Sequence, residues 1–262
     1  MKSLKRITII LLLAFGVTLG WHHFQPALLD FYRKHFQTTE APALPPAQPD
    51  PERYQELIEE LARERLGLTE RYARARTARE ISDVINESRR LLEARLPEMM
   101  RCWLGTPWDF NGTCQTPGSG KIACGYFVST ILRDAGFQVE RIRLAQQPSQ
   151  RIIRTFLPKD KMFIRAGLSY EKFLDQVVAR GPGIRIVGLD RHVAFLVVTP
   201  EEKIHFIHAS GASPYCVVDE SRHDATSLQN SNYRVTGNLT RHPEIIHGWL
   251  TGSDWPTHQP AA

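Results

Sequence analysis

Residues 192–210, HVAFLVVTPEEKIHFIHAS, read as two apolar strands joined by a polar turn. The pattern predicts strands over 192–199 and 203–209, with Pro200-Glu201-Glu202 between them. His192 and His208 are an even number of residues apart. With a three-residue turn, Thr199 pairs with Lys203 and Ala194 stands opposite His208. His192 is then the diagonal neighbour of His208 on the same face, about 7–8 Å away. His205 falls on the other face. A two- or four-residue turn without a bulge would separate the two histidines.

Outward from this hairpin, residues 183–188, 215–219 and 232–237 also read as strands, divided by Gly, Pro and Asn turns. Upstream the texture is helical. Residues 52–101 hold 11 Arg against 11 Asp and Glu, a charge balance expected of a solvated face. Tyr54, Leu57, Ile58 and Leu61 recur at helical spacing. A second helix is expected to open at Thr77, where Glu80 completes a capping box. Further helices are expected over 124–135, ending at Gly136, and over 169–180. Helices followed by consecutive antiparallel strands predict an α+β fold, with the 124–135 helix packed on an antiparallel sheet.

The chain of 262 residues carries a net charge of +5, but Lys2, Lys5 and Arg6 supply three of those positives. The rest is nearly balanced and lacks a basic patch with interleaved aromatics, so a nucleic-acid partner is not expected. The three positives precede an apolar run, Ile7–Leu19, the pattern of an export signal. The run is short for a spanning helix, which needs roughly 20 residues. Residues 1–20 are therefore expected to be a signal peptide or a short membrane anchor. Residues 21–51 follow as a tether, with five prolines between 38 and 51. A helical lead-in over 52–101, a catalytic domain over 102–250 and a tail over 251–262 complete the expected organisation.

Gly118-Ser119-Gly120-Lys121 imitates a phosphate loop but lacks the earlier glycine and the following Ser or Thr. No Cys or His spacing fits a zinc site, so neither metal nor organic cofactor is expected. Of the four cysteines, Cys102 and Cys114 are the nearest candidate pair for a bridge. Cys124 is the candidate nucleophile. It follows a glycine-rich loop and opens a helix, where backbone N–H groups and the helix dipole favour thiolate. The same N–H groups could receive an oxyanion. His192 is the candidate base and His208 the group that orients it.

The string GTPWDFNG at 105–112, ACGYFV at 123–128, HVAFL at 192–196 and HAS at 208–210 resembles the NlpC family of bacterial cell-wall cysteine peptidases. The resemblance implies a papain-like fold and peptidoglycan stem peptides as the amide substrate. It implies Cys124 as nucleophile, His192 as base and His208 as third polar member, in an exported, periplasmic protein that is soluble or held to the inner membrane at its N-terminus. Two positions depart from the family pattern: Ala123 stands where its Asp precedes the nucleophile, and Gly125 where its Ser follows. The stretch between Cys124 and His192 is also longer, with an insertion around 138–168. Trp108, Asp109 and Gly125 are the candidate substrate-binding residues. Asp109 is either a replacement for the missing carboxylate or a solvated loop residue. The alternatives are an amidase or acyltransferase using the same site on another substrate, and a non-enzymatic cell-wall module.

Overall fold

The computed structural model describes residues 47–257. The export segment, most of the tether and the last five residues lie outside the described residues. No described helix is long and apolar enough to cross a membrane.

Helix α1 (Pro51–Arg74) starts where Asp50 accepts the Arg53 N–H at 2.9 Å, with proline at its first position. Helix α2 (Ala78–Arg101) opens on the capping box expected at Thr77 and Glu80, and runs through Pro97. The two form a hairpin whose Leu57, Leu61, Leu92 and Leu96 are almost completely buried. Each such side chain contributes about 2 kcal/mol of burial energy. These leucines share one core with Phe127, Val128 and Ile131 of α3 (Cys124–Asp134). The lead-in is thus part of the body that carries the candidate nucleophile. Residues 47–50 join it too: the Asp50 amide donates to the Cys102 carbonyl at 2.8 Å, which ends the tether earlier than residue 51.

After α3 come β1 (Gln138–Val139), α4 (Arg141–Ala145), α5 (Ser149–Arg154), β2 (Phe163–Ala166) and α6 (Tyr170–Val178). The remaining strands are β3 (Gly183–Leu189), β4 (Val193–Val198), β5 (Ile204–Ala209), β6 (Val217–Ser221) and β7 (Tyr233–Asn238). A short α7 (Thr226–Gln229) precedes β7, and α8 (Pro243–Thr251) and β8 (Asp254–Trp255) follow it. Strands β2-β7-β3-β4-β5-β6 form one antiparallel sheet in that order. The α+β expectation holds at this level.

The five strands read from sequence are all present, and β2, inside the insertion, is an additional edge strand. The expected tail is partly built in. β8 pairs in parallel with β1, and Trp255 packs on Phe137 and Phe156.

The sheet has two covered faces. Ile184, Ile186, Phe195, Val197 and Ile207 meet the core that contains α1, α2 and α3. Val187, Leu196, Val198, Ile204 and Phe206 meet Phe173, Leu174 and Val177 of α6. The β4–β5 turn is the three-residue turn expected. Thr199 and Lys203 are hydrogen-bonded at 2.9 Å, and Glu202 takes the left-handed conformation at φ 62°. That is the geometry of a type I turn closed by one left-handed residue.

Candidate active site

The register Phe195↔Ile207 and Leu196↔Phe206 carries His192 and His208 to the same face, beside Phe206. Their rings meet: Nε2 of His192 lies 2.8 Å from Nδ1 of His208. His208 is completely buried. Its other nitrogen, Nε2, lies 3.0 Å from Oε2 of Glu220 on β6.

With Glu220 as an ionised acceptor, this line of contacts orders the protons. An ionised carboxylate only accepts, so His208 presents Nε2–H to Glu220. Its Nδ1 is then a lone pair, which accepts Nε2–H of His192. That leaves the lone pair of neutral His192 on Nδ1. Burial, with a smaller contribution from His208, pushes the His192 pKa down to about 3, so the ring rests neutral. Glu220 was not singled out from the sequence. Its signal was available, a carboxylate at alternate spacing in the strand after the histidine pair, but the 210–216 loop hides the register that pairs Phe206 with Glu220.

Cys124 is the first residue of α3, as expected. The Val193 and Gly125 amides lie against its sulfur and favour the thiolate. Val193 directly follows His192, so the thiol meets the sheet at the root of the base-bearing strand; the histidine rings lie beside Phe206, on the face that α6 covers, whereas the body of α3 packs on the Phe195 and Ile207 face. Among the described residues no hydrogen bond joins the sulfur to the His192 ring. The expected lowering of the thiol pKa is corrected: burial outweighs the amide donors and pushes it up. The resting pair is therefore neutral thiol and neutral imidazole.

The candidate substrate-binding residues separate. Trp108 lies beside the end of β5. Its amide donates to the Tyr215 carbonyl at 2.7 Å, its ring pairs with that of Tyr215, and a Cβ at Gly211 would touch it. Tyr215 is exposed, so the two rings make an accessible aromatic wall next to the His208-Ala209-Ser210 segment. Asp109 is held elsewhere. It accepts the Asn111 amide at 2.9 Å, and Lys121 pairs with it at 3.2 Å, which together keep its carboxyl below the usual range. Gly125 is buried, and a Cβ there would run into the Ala145 carbonyl at the end of α4. No side chain fits at this position, and only its backbone faces the thiol.

The insertion causes that crowding. Arg141 of α4, itself buried, donates to Thr130 Oγ1 of α3 at 2.7 Å and to the Thr113 and Cys114 carbonyls at 3.0 and 2.8 Å. One guanidinium thereby fastens the insertion to the nucleophile helix and to the loop before it. All four cysteines are free thiols, so the Cys102–Cys114 pair is not a bridge. Cys102 is buried at the end of α2, with its thiol pushed up to about 11.

Comparison with family models, with curated proteins and with solved structures gives no match for the chain.

Proposed function

We propose that the chain is a thiol hydrolase of the papain-like NlpC type, cleaving an amide bond through a thioester. The observation that carries the reading is the Glu220–His208–His192 line, at 3.0 and 2.8 Å, together with a cysteine at a helix N-terminus that meets the backbone of Val193, the residue next to His192. In this reading Nδ1 of His192 takes the thiol proton as sulfur attacks the substrate carbonyl. The imidazolium so formed is stabilised through His208 by the Glu220 carboxylate. Amides at the start of α3 face the developing oxyanion. His192 then returns its proton to the departing amine, leaving the thioester. Water attacks that thioester, with His192 taking a proton from it, and releases the acid and the free thiol.

The neutral resting pair fits this sequence of steps. Separately, thiolate and imidazolium are each disfavoured by burial; formed together, each charge compensates the other. The reading requires the thiol and Nδ1 of His192 to meet in the substrate complex, where catalytic hydrogen bonds commonly tighten.

The resemblance in motif and order assigns peptidoglycan stem peptides as the substrate and the exported, periplasmic space as the place. The structure favours one variation on it. Ala123 offers no carboxylate, and Asp109 is committed to its own turn and to Lys121. A substrate without a free amino group at that subsite, handled by an amidase or acyltransferase, is therefore the second reading.

The test is mass spectrometry of purified peptidoglycan, and of N-acylated peptides, after incubation with wild type and Cys124→Ala. A cleaved amide with wild type alone supports the reading. Release of product by the Cys124→Ala protein, or none from any amide or ester substrate with wild type, overturns it.

A further inference from the structure

At the far end of the histidine-bearing face, β3, β7, the 160–163 segment and the residues after α6 and β7 line a half-open cavity of about 420 Å³. Lys161, Arg180, Arg185 and Arg241 line it, with Asp160 the one carboxylate among its lining residues. Arg185 is opposite Leu196 in the β3–β4 register, four residues from His192. At about 3.3 Å per residue, the cavity lies roughly 13 Å from the candidate base.

The charges in this cavity are not matched. Lys161 pairs with Glu244 outside the lining. Among the described residues, Arg180, Arg185 and Arg241 have no carboxylate partner within ion-pair distance. Their contacts are neutral. Arg185 donates to the Gly183, Val177 and Gly181 carbonyls, Arg241 to the Arg180 carbonyl, and Arg180 to the Gln176 carbonyl. Glu93 attracts Arg185 without an ion-pair contact, and is itself hydrogen-bonded by Thr240 at 2.7 Å. Arg180 also stacks on Phe163, 3.7 Å from the ring centre, with Arg165 against the same ring at 4.2 Å.

Arg185 is 1% exposed. Carbonyl dipoles orient its guanidinium but leave its net charge standing. A buried cation without an opposite charge is costly, and two like charges at its side raise the cost. A purely structural arginine at the end of α6 would account for the carbonyl contacts. It does not account for the convergence of two further guanidiniums, both exposed to solvent, on an open volume in front of it.

We propose that this cavity binds a phosphoryl group, either as the free anion or carried on a small ligand. Lys161, Arg180, Arg185 and Arg241 supply four positive charges against Asp160 and Glu244, and Glu93 is offset by Arg89 at 4.0 Å, so the excess is two. A phosphoryl dianion cancels that excess. Its tetrahedral oxygens accept from several guanidinium forks at once, which a single planar carboxylate does less well. The site is independent of the proposed hydrolysis and needs no substrate turnover to be detected.

The experiment is calorimetric titration of the full chain with inorganic phosphate, pyrophosphate and succinate, at constant ionic strength set with chloride. Thermal melts of the same mixtures accompany it. Phosphate or pyrophosphate is expected to bind, and the Arg180→Ala/Arg241→Ala double variant to bind at least tenfold more weakly. Without ligand, the double variant is expected to melt no lower than wild type, because repulsion on Arg185 is relieved. Three results would overturn the proposal: no binding of either phosphate at millimolar concentration, succinate binding as tightly as pyrophosphate, or undiminished binding by the double variant. A double variant that melts well below wild type, with no phosphate response in wild type, would assign the cluster a structural role instead.

Discussion

Two histidine–carboxylate pairs sit one step apart on β5 and β6, on opposite faces of the same two strands. Both are diagonal: His205 is opposite Ser221 and reaches Asp219, while His208 is opposite Val218 and reaches Glu220. Both contacts measure 3.0 Å. Their surroundings differ. The His205 side chain is 32% exposed, and Asp219 also pairs with Arg101 at 2.9 Å. Water reaches that ring, an arginine shares the carboxylate's charge, and among the described residues no further side chain is bonded to the ring. His208 has no solvent, its carboxylate has no cation partner among the described residues, and its second nitrogen is used by His192. A histidine–carboxylate pair sets a tautomer for something else when its ring is buried and its second nitrogen leads onward.

The sharpest break of this comparison is activity. Cys124→Ala and His192→Ala are each expected to lower kcat on the order of 10⁴-fold or more. His205→Ala should stay within about twofold. A large loss from His205→Ala would place the working pair on the wrong face.

Next in size is the carboxylate. Glu220→Leu frees the His208 tautomer and should reduce kcat about 10²- to 10⁴-fold with little change in KM. Glu220→Gln, whose carbonyl can still accept Nε2–H, should recover part of that loss. Asp219→Asn should change kcat by less than about twofold. Equal effects at Glu220 and Asp219 would erase the distinction drawn here.

Acid provides a smaller effect, in stability. Unfolded His192 takes a proton below its ordinary value of 6.5, but the buried ring resists until about pH 3. The unfolded state binds the extra proton in that window, so folding weakens by about 1.4 kcal/mol for each pH unit below 6.5. Urea midpoints measured from pH 7 to pH 4 should fall more steeply for wild type than for His192→Gln. Parallel curves would mean that the ring is not held neutral.

The smallest expected difference is in thiol chemistry. Alkylation of Cys124 by iodoacetamide should rise with pH along a curve displaced above the ordinary thiol value, since burial pushes the group up. Cys102, held at about 11, should stay unlabelled near neutral pH. A Cys124 curve displaced downward would restore the thiolate expected from the helix terminus alone.

Much of the site's frame was legible before any coordinates. Strand parity and the Pro200-Glu201-Glu202 turn placed His192 and His208 together and His205 apart. The glycine-rich loop before Cys124 placed that thiol at a helix start. Glu220 was not legible, because its register depends on how the 210–216 loop returns the chain. Gly125 was read as part of a substrate pocket, yet its small size answers to the Ala145 carbonyl, a contact made by the insertion.

The amino-acid sequence by itself determined the strands, the capping box at Thr77 and Glu80, the hairpin register and the identity of the paired histidines. These depend on alternation and turn length, which are local and survive in any context. Tertiary structure alone decided the rest. It added β2 to the sheet edge, drew Asp254–Trp255 onto β1, and let Arg141 fasten the insertion over α3. It also raised the Cys124 thiol, lowered the His192 imidazole and joined Glu220 to the line. The reason is physical: desolvation and hydrogen-bond partnership depend on every neighbour that closes around a group, and those neighbours come from segments far apart in the chain.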